Sequence, residues 1–242
     1  GAATITINAT GGSGGTSGGI VLNDADTTIT SIAGDINITA TGGSTSGAGL
    51  STTAGPKIAS LGAANLTITA DGTASDAFVG VGLTIGDAAG AGTITLTGDE
   101  FTFTGASAFD GSGALIIQPQ TAGTDIEIGD VNGTLSLTDA ELAFLSAGFS
   151  TITIGKADAG DFNIESATLP DTTGNSVTIL TAGTIRDIVG APDLVLGAGD
   201  TATLNGTVAP GFINLGAPGD PGILGVTGNV SLPDNTTYEV QI

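Results

Sequence analysis

The sequence predicts an all-β fold, a parallel β-helix (solenoid) with one short helix near residues 139–147. A unit of about thirty residues occurs three times between Thr4 and Gly86, a period typical of stacked repeats that bury their apolar rows against each other. Pairs of Ile, Leu or Val separated by one residue recur along the chain, and this period of two indicates strands with one buried face. Frequent Gly and β-branched residues disfavour helix almost everywhere else.

The three copies of the repeat align on their aliphatic pairs. The aligned rows are Ile5, Ile36 and Leu66, and Ile7, Ile38 and Ile68. We expect these rows to form ladders inside the solenoid, because coils stacked about 4.8 Å apart place equivalent side chains on top of one another. Gly-rich segments such as 11–15 are expected at corners, where glycine adopts backbone angles that other residues avoid.

Beyond Gly86 the repeating units become shorter and less regular, but no change in composition marks a domain boundary. Short apolar strands that end on Gly, Asp or Ser continue the pattern, as corners between the faces of a coil would require. The prediction is a single solenoid segment over residues 1–242. Repeats of about thirty residues occupy 1–86, and shorter coils occupy 87–242.

The helix is predicted from a motif that interrupts the strand pattern. Thr138 and Glu141 have the spacing of a capping box, in which each side chain accepts a hydrogen bond from the other residue's backbone. Apolar residues follow, and Gly148 stands where a helix C-cap is expected. We expect the helix to pack apolar side chains onto the coils and to mark the best candidate for a seam in the solenoid.

The chain is strongly acidic, with 24 Asp and Glu against three Lys and Arg and a formal net charge of −21. Proteins bind nucleic acids and anionic membranes through Lys and Arg, so we expect neither as a partner. The absence of Cys predicts no disulfide framework. No run of about eighteen apolar residues occurs, so we expect no membrane insertion.

Both ends of the sequence have the pattern of a strand and not that of a cap. A solenoid that ends in an uncapped strand exposes unpaired backbone groups and apolar side chains. We therefore expect both ends to continue into more chain, as in an excerpt of a longer protein, or to associate with a neighbouring subunit. The residues predicted to form these self-association ends are Thr4, Ile5, Thr6, Ile7, Tyr238, Val240 and Ile242.

One acidic turn is a candidate calcium site. Asn23, Asp24 and Asp26 place three oxygen-bearing side chains in one short turn, and Ca²⁺ prefers oxygen ligands. The alternative is that these side chains bond to their own backbone, as Asp and Asn in turns usually do. Weaker choices are Asp99 with Glu100, Asp158 with Asp161, and Asp125 with Glu127. No other cofactor is expected.

Catalysis is not expected of this chain. It has no His and only three cationic side chains, so few groups can act as a general base or an electrophile. One alternative function is a carbohydrate-binding or polysaccharide-cleaving β-helix that uses its carboxylates. A second alternative is an ice-binding solenoid, because Thr-x-Thr pairs such as Thr93 with Thr95 would form a face of hydroxyls, although other polar residues interrupt it.

Several segments share their pattern with a known family. These segments are Leu115–Pro119, Ile126–Gly129, Leu135–Leu142, Gly148–Gly155, Ala217–Val230 and Thr237–Val240. The first four resemble modules of giant bacterial surface adhesins, the filamentous-haemagglutinin-like β-strand-repeat proteins, and the Thr4–Gly86 repeat is similar to the Gly-rich repeats of that family. The last two resemble the passenger strands of autotransporters. The resemblance implies a right-handed parallel β-helix that is secreted to the cell surface and serves adhesion and biofilm or matrix building.

Together the residues and the resemblance predict a non-enzymatic structural or adhesive segment of an extracellular bacterial surface or matrix protein. The segment is expected to form rods or filaments, either by stacking of copies or by continuation of the chain. The expected partners are further repeats joined end to end, and host or matrix glycans and proteins.

Overall fold

Nearly all of the described chain is β-strand, and a four-residue helix interrupts it once. The computed structural model describes residues 2–13, 17–44, 47–72, 76–129, 134–165, 167–168, 176–187, 194–195, 201–209, 216–217, 220–221 and 223–227. The first strands are β1 (Ile5–Thr10), β2 (Ile20–Leu22), β3 (Thr28–Ser31), β4 (Ile36–Thr41), β5 (Leu50–Thr52), β6 (Lys57–Ser60), β7 (Leu66–Asp71), β8 (Phe78–Val81), β9 (Thr84–Gly86), β10 (Ile94–Thr97), β11 (Phe101–Thr104) and β12 (Ala108–Asp110). The remaining elements are β13 (Ala114–Gln118), β14 (Ile126–Gly129), β15 (Leu135–Thr138), α1 (Asp139–Leu142), β16 (Thr151–Gly155), β17 (Phe162–Ile164), β18 (Ala167–Thr168), β19 (Ser176–Asp187), β20 (Leu194–Val195), β21 (Thr201–Ala209), β22 (Gly216–Ala217), β23 (Asp220–Pro221) and β24 (Ile223–Thr227).

The chain forms a parallel β-helix, as the sequence predicts. Each of the first four coils gives one strand to each of three sheets, so that strands three apart in sequence are neighbours. Sheet A begins β1-β4-β7-β10-β13-β16-β19, sheet B is β2-β5-β8-β11, and sheet C is β3-β6-β9-β12. Among the described strands, every pair is parallel except the short pair β22–β23.

The two aliphatic rows predicted from the repeat are confirmed as ladders. Ile5 lies in register with Ile36 and Ile7 with Ile38, and both rows continue through β7 and β10. In β4 the side chains alternate between buried and exposed, so the period of two in the sequence is the pleat of a half-buried strand. Stacking of these rows removes apolar surface from water coil by coil.

Aromatic residues replace part of the aliphatic core in the third and fourth coils. The rings of Phe78 and Phe101 are stacked with centroids 4.7 Å apart, and Phe103 meets Phe109 edge-on at 4.9 Å. A Cβ atom at Gly80 would lie 2.5 Å from the Phe103 ring, so glycine at this position makes room for the larger side chain. The rows predicted from the repeat are aliphatic, and the repeat pattern gives no sign of this aromatic cluster.

Helix α1 lies at a seam where sheet B stops. The predicted capping box is present, since Glu141 N–H donates to Thr138 Oγ1 at 3.2 Å and Thr138 N–H donates to Glu141 Oε2 at 2.9 Å. The other carboxylate oxygen, Oε1, accepts a hydrogen bond from Phe103 N–H of β11 at 2.8 Å. The Glu141 side chain, buried like Leu142 beside it, thereby binds the last strand of sheet B.

The helix begins as predicted but ends at Leu142, well before the expected end near residue 147. The cause is a competing strand contact. Phe109 N–H donates to Phe144 O, and Ser146 N–H donates to Phe109 O, both at 2.9 Å. Leu145 thus forms a parallel bridge to Phe109 and takes the next position above β12 in sheet C.

Beyond the seam, the strands join sheet A in two arms. The first half of β19 pairs with β16, and its second half pairs with β17. Strand β17 continues through β14 to β15. The spacing of strands in sheet A is uneven after Gly86, since Ile94 pairs with Leu115 and Leu115 pairs with Ile152, so the division into longer and shorter coils stays a prediction. The seam predicted near residue 140 coincides with the end of sheet B.

Candidate functional site

The first coil ends all three sheets. Strands β1, β2 and β3 are the terminal strands of sheets A, B and C, and each has a neighbour on one side only among the described residues. Ile5 N–H donates to Asp35 O, and Ile20 N–H donates to Gly49 O. Alternate residues of a parallel strand direct their backbone groups to opposite neighbours. The N–H and C=O groups of Thr6 and Asn8 therefore point towards the open edge.

The apolar side chains of this coil are incompletely covered. Ile5 and Ile7 are half-buried, whereas their partners in the next coil, Ile36 and Ile38, are 0% and 1% exposed. Ile20, Leu22 and Ile29 of β2 and β3 share this state of partial burial. The first coil therefore has the inward-facing residues of an internal coil, but no described residue forms a layer above it.

A further exposed apolar side chain lies at a corner of the same coil. Ile32 follows β3 and is 78% exposed, and Leu61 occupies the equivalent corner one coil further on and is 37% exposed. In β2, Val21 is 49% exposed. We use the name open edge for β1, β2, β3 and this corner.

The predicted self-association ends fall partly on the open edge. Thr4 is exposed next to β1, and Ile5, Thr6 and Ile7 belong to that strand. Tyr238, Val240 and Ile242 lie outside the described residues, so their role stays a prediction. Self-association itself also stays a prediction.

The candidate calcium turn forms internal hydrogen bonds. Asp24 Oδ1 accepts from Asp26 N–H at 2.9 Å, and Asn23 Oδ1 accepts from the Thr53 hydroxyl of the next coil at 3.1 Å. Three oxygen atoms of the turn, counting the Asp24 carbonyl that accepts from Thr27 N–H, are thus engaged by the chain. These bonds correspond to the turn alternative, while calcium binding at this turn stays a prediction.

Asp and Asn residues form a ladder at the corner that precedes sheet A. Asn65 N–H donates to Asp35 Oδ1 at 2.8 Å, and Thr93 N–H donates to Asn65 Oδ1 at 2.9 Å. Further along, Asp161 N–H donates to Asp125 Oδ1 at 2.8 Å. Each side chain binds the backbone of the following coil, so these residues join coils. An Asp or Asn directly before an apolar strand is the sequence signal for such a bond between coils, and this role was not among the predictions.

Asp99 performs a similar task at another corner. Its Oδ1 accepts from Gln120 N–H and Thr121 N–H at 2.9 Å, and its Oδ2 accepts from the Thr121 hydroxyl at 2.5 Å. The neighbouring Glu100 is exposed. Partial desolvation raises the pKa of Glu100, and the adjacent carboxylate of Asp76 raises it further. Among the described acids, Glu100 is the one whose pKa is raised by a neighbouring carboxylate.

All three cationic side chains form ion pairs with aspartates. Lys57 Nζ lies 2.6 Å from Asp87 Oδ2, Lys156 Nζ 3.1 Å from Asp158 Oδ1, and Arg186 Nη1 2.6 Å from Asp161 Oδ2. The hydrogen bond from Lys57 lowers the pKa of Asp87, and the backbone N–H of Ala89 adds to that effect. The backbone N–H of Thr184 lowers the pKa of Asp161, and Arg186 lowers it further.

The outward face of sheet A carries no charge over two long rows. One row is Thr6, Asn37, Thr67, Thr95, Ile116, Thr153 and Thr178, and the other is Asn8, Thr39, Thr69, Thr97 and Gln118. Thr hydroxyls therefore lie in register between some neighbouring coils, such as Thr67 with Thr95 and Thr69 with Thr97, while Asn, Ile and Gln interrupt both rows. These two rows are neutral on an acidic molecule, although Asp71 lies further along the same face.

Comparison with known proteins gives no assignment for this chain: no family model matches it, and neither a curated protein nor a solved structure was found to be similar. No helix in the described part of the chain has the length and apolar character that crossing a membrane requires. Nor do three or more Asp, Glu, His or Cys side chains converge as a metal site within the described ranges.

Proposed function

We propose that the chain is a non-enzymatic structural segment of an extracellular surface or matrix protein, and that it builds rods or filaments from stacked coils. One observation carries the proposal. At the open edge, strands of three sheets have no outer neighbour within the described part of the chain, and the aliphatic rows of Ile5 and Ile7 there are fully buried one coil further on. A layer with the same strand arrangement would complete both, either from a neighbouring copy or from further chain.

Bacterial adhesion and the cell surface as location follow from the resemblance to surface adhesins. The positions of Asp35 and Asp125 fit a structural role, because each carboxylate binds a backbone N–H group of a neighbouring coil. Glycans or proteins of a host or matrix would then be partners of the sides of the rod, and further coils would be the partners of its ends.

Proline at the open edge provides a direct test. The N–H groups of Thr6 and Asn8 face away from β4, so Thr6→Pro with Asn8→Pro removes donors that only an added strand would use. The control, Thr6→Ala with Asn8→Ala, keeps both N–H groups. We expect wild type and control to assemble into rods as concentration rises, and the proline variant to stay monomeric, by light scattering and electron microscopy.

Continuation of the chain needs a separate test. A duplicate of residues 35–64 inserted before Thr4 adds one coil in register, because Asp35 and Thr4 occupy equivalent positions. We expect this variant to fold with a higher Tm than the wild type. Compact, monodisperse wild-type particles at every concentration, together with no gain in Tm from the added coil, would overturn the proposal.

Ice binding is a second candidate, favoured by the register of the Thr rows on sheet A. Hydroxyls in register on two uncharged rows of the sheet suit a regular hydrogen-bonding lattice. We expect thermal hysteresis in dilute protein that Thr95→Lys abolishes. Thr102→Lys, on sheet B of the same coil, is the matched control. Wild-type protein without hysteresis or crystal shaping removes this candidate.

A further inference from the structure

Glu127 differs from the other acids of the chain in its surroundings. It lies in β14 between Ile126 and Ile128, which point into the core, and its own side chain is only 4% exposed. Its Oε1 atom has no hydrogen-bond partner within the described residues. Glu141, the other buried acid described, bonds through both of its carboxylate oxygens.

The strands beside Glu127 place oxygen-bearing side chains next to it. Ser136 of β15 is its partner in register on one side, and Asn163 of β17 is its partner on the other. Gly129 follows two positions along the same face and has no side chain to fill the space. The row Ser136–Glu127–Asn163 therefore forms an oxygen-rich strip across three strands.

No cationic side chain of the described chain neutralises Glu127. Arg186 is one strand beyond Asn163, but its guanidinium binds Asp161 Oδ2. Lys57 and Lys156 pair with aspartates elsewhere. Burial of a carboxylate without a positive partner is costly, so a bound cation would stabilise this position.

We propose that Glu127 anchors a binding site for a hard divalent cation of the Ca²⁺ class, with Asn163 Oδ1 and Ser136 Oγ as further oxygen ligands. Neighbouring strands are about 4.8 Å apart, and Ca²⁺ holds its oxygen ligands at about 2.4 Å, so one ion can bridge adjacent positions of the row. Water and backbone carbonyls complete the six to eight oxygens that Ca²⁺ accepts. The site uses one carboxylate, unlike a cluster of acids.

Calcium titration separates this site from the Asn23–Asp26 turn. The full chain is stripped with a chelator, and Ca²⁺ itself is titrated by calorimetry, with Tm measured in Ca²⁺ and in chelator. Glu127→Gln keeps the shape of the side chain and removes its charge. Asp24→Asn tests the turn separately, and Asn163→Ala tests a neutral ligand. Asp110→Asn, in β12 and part of neither site, is the matched control.

We expect a saturable site in the wild type that is unchanged in Asp110→Asn, whereas any separate site in the turn would be lost in Asp24→Asn alone. The Kd of the first of these sites should rise at least tenfold in Glu127→Gln, and the Ca²⁺-dependent gain in Tm should disappear with it. Asn163→Ala should weaken binding less. Absence of saturable binding, or equal binding by Glu127→Gln, would overturn the proposal. If Glu127→Gln has a higher Tm than the wild type and Ca²⁺ has no effect on the wild type, Glu127 is a destabilising buried acid that binds no metal, and the proposal is wrong.

Discussion

The open edge and the seam at α1 lie at the two ends of sheet B. The terminal strand is covered at the seam and uncovered at the open edge. At the seam, the terminal strand β11 receives a carboxylate, since Phe103 N–H donates to Glu141 Oε1. At the open edge, the terminal strand β2 has Val21 49% exposed and no strand on its outer side in the described part of the chain. Edge strands that must not pair are normally blocked or covered.

The difference shows which end of sheet B is covered by its own chain and which end could pair with an added strand. A buried acid with three hydrogen bonds and the packed Leu142 make the seam a permanent part of the fold. Among the described residues the open edge has no such cover, and its inward-facing residues are those of an internal coil. Experiments that alter equivalent positions at these two places can break or sharpen this contrast.

The largest effect is expected in the aliphatic ladder, where Ile38→Ala should destabilise the chain by about 2–5 kcal/mol because it leaves a cavity in a buried row. Ile7→Ala, one coil earlier in the same row, should cost less than half as much because Ile7 is only half-buried. Denaturant unfolding measures both. When residues 35–64 are duplicated before Thr4, the cost at Ile7 should rise to that at Ile38.

Equal costs for the two Ile substitutions in the original chain would mean that another layer already covers the open edge. Repeating the measurement at several protein concentrations identifies that layer. A destabilisation by Ile7→Ala that grows with protein concentration indicates association of copies. A destabilisation equal to that of Ile38→Ala at every concentration contradicts the contrast between the two coils.

The next effect is expected at the seam. Glu141→Ala removes the capping box and leaves Phe103 N–H without its acceptor, and we expect a loss of about 3 kcal/mol in unfolding free energy. Glu141→Gln retains one acceptor oxygen and should cost clearly less. Equal losses for both variants would show that the charge matters more than the acceptor geometry, and a negligible loss for Ala would remove the seam's distinction from the open edge.

Local sequence was sufficient for the ladders and for the start of α1. The rows through Ile5 and Ile7 follow from period and repeat alone, and the capping box needs residues only three apart. The end of the helix depends on Phe109, and the role of Glu141 depends on Phe103, 38 residues away. Contacts of this kind arise only once the coils are stacked, so no local pattern contains them.

The candidate sites show the same limit. Asp24 bonds to the backbone of its own turn, as turn chemistry predicts. Asp35 and Asp125 bond instead to the backbone of the next coil. In the sequence, both look like ordinary turn acids. Whether Glu127 is buried also depends on neighbouring strands. The sequence therefore indicated where acids occur, and the stacking decides what each of them contacts.

The smallest effect is expected from the ion pair of Lys57 and Asp87, which joins the second coil to the third. The first coil lacks this connection, because Thr28 stands in register with Lys57. Both partners are partly exposed, so Asp87→Asn should cost about 0.2–1 kcal/mol at neutral pH and less in high salt. Because folding lowers the pKa of Asp87, the pair contributes stability above the ordinary Asp value of about 3.9 and loses it as pH falls through the lower folded pKa. Unfolding curves of wild type and Asp87→Asn should therefore converge in acid, and a gap that persists there would assign the loss to packing and leave the coils joined by their ladders alone.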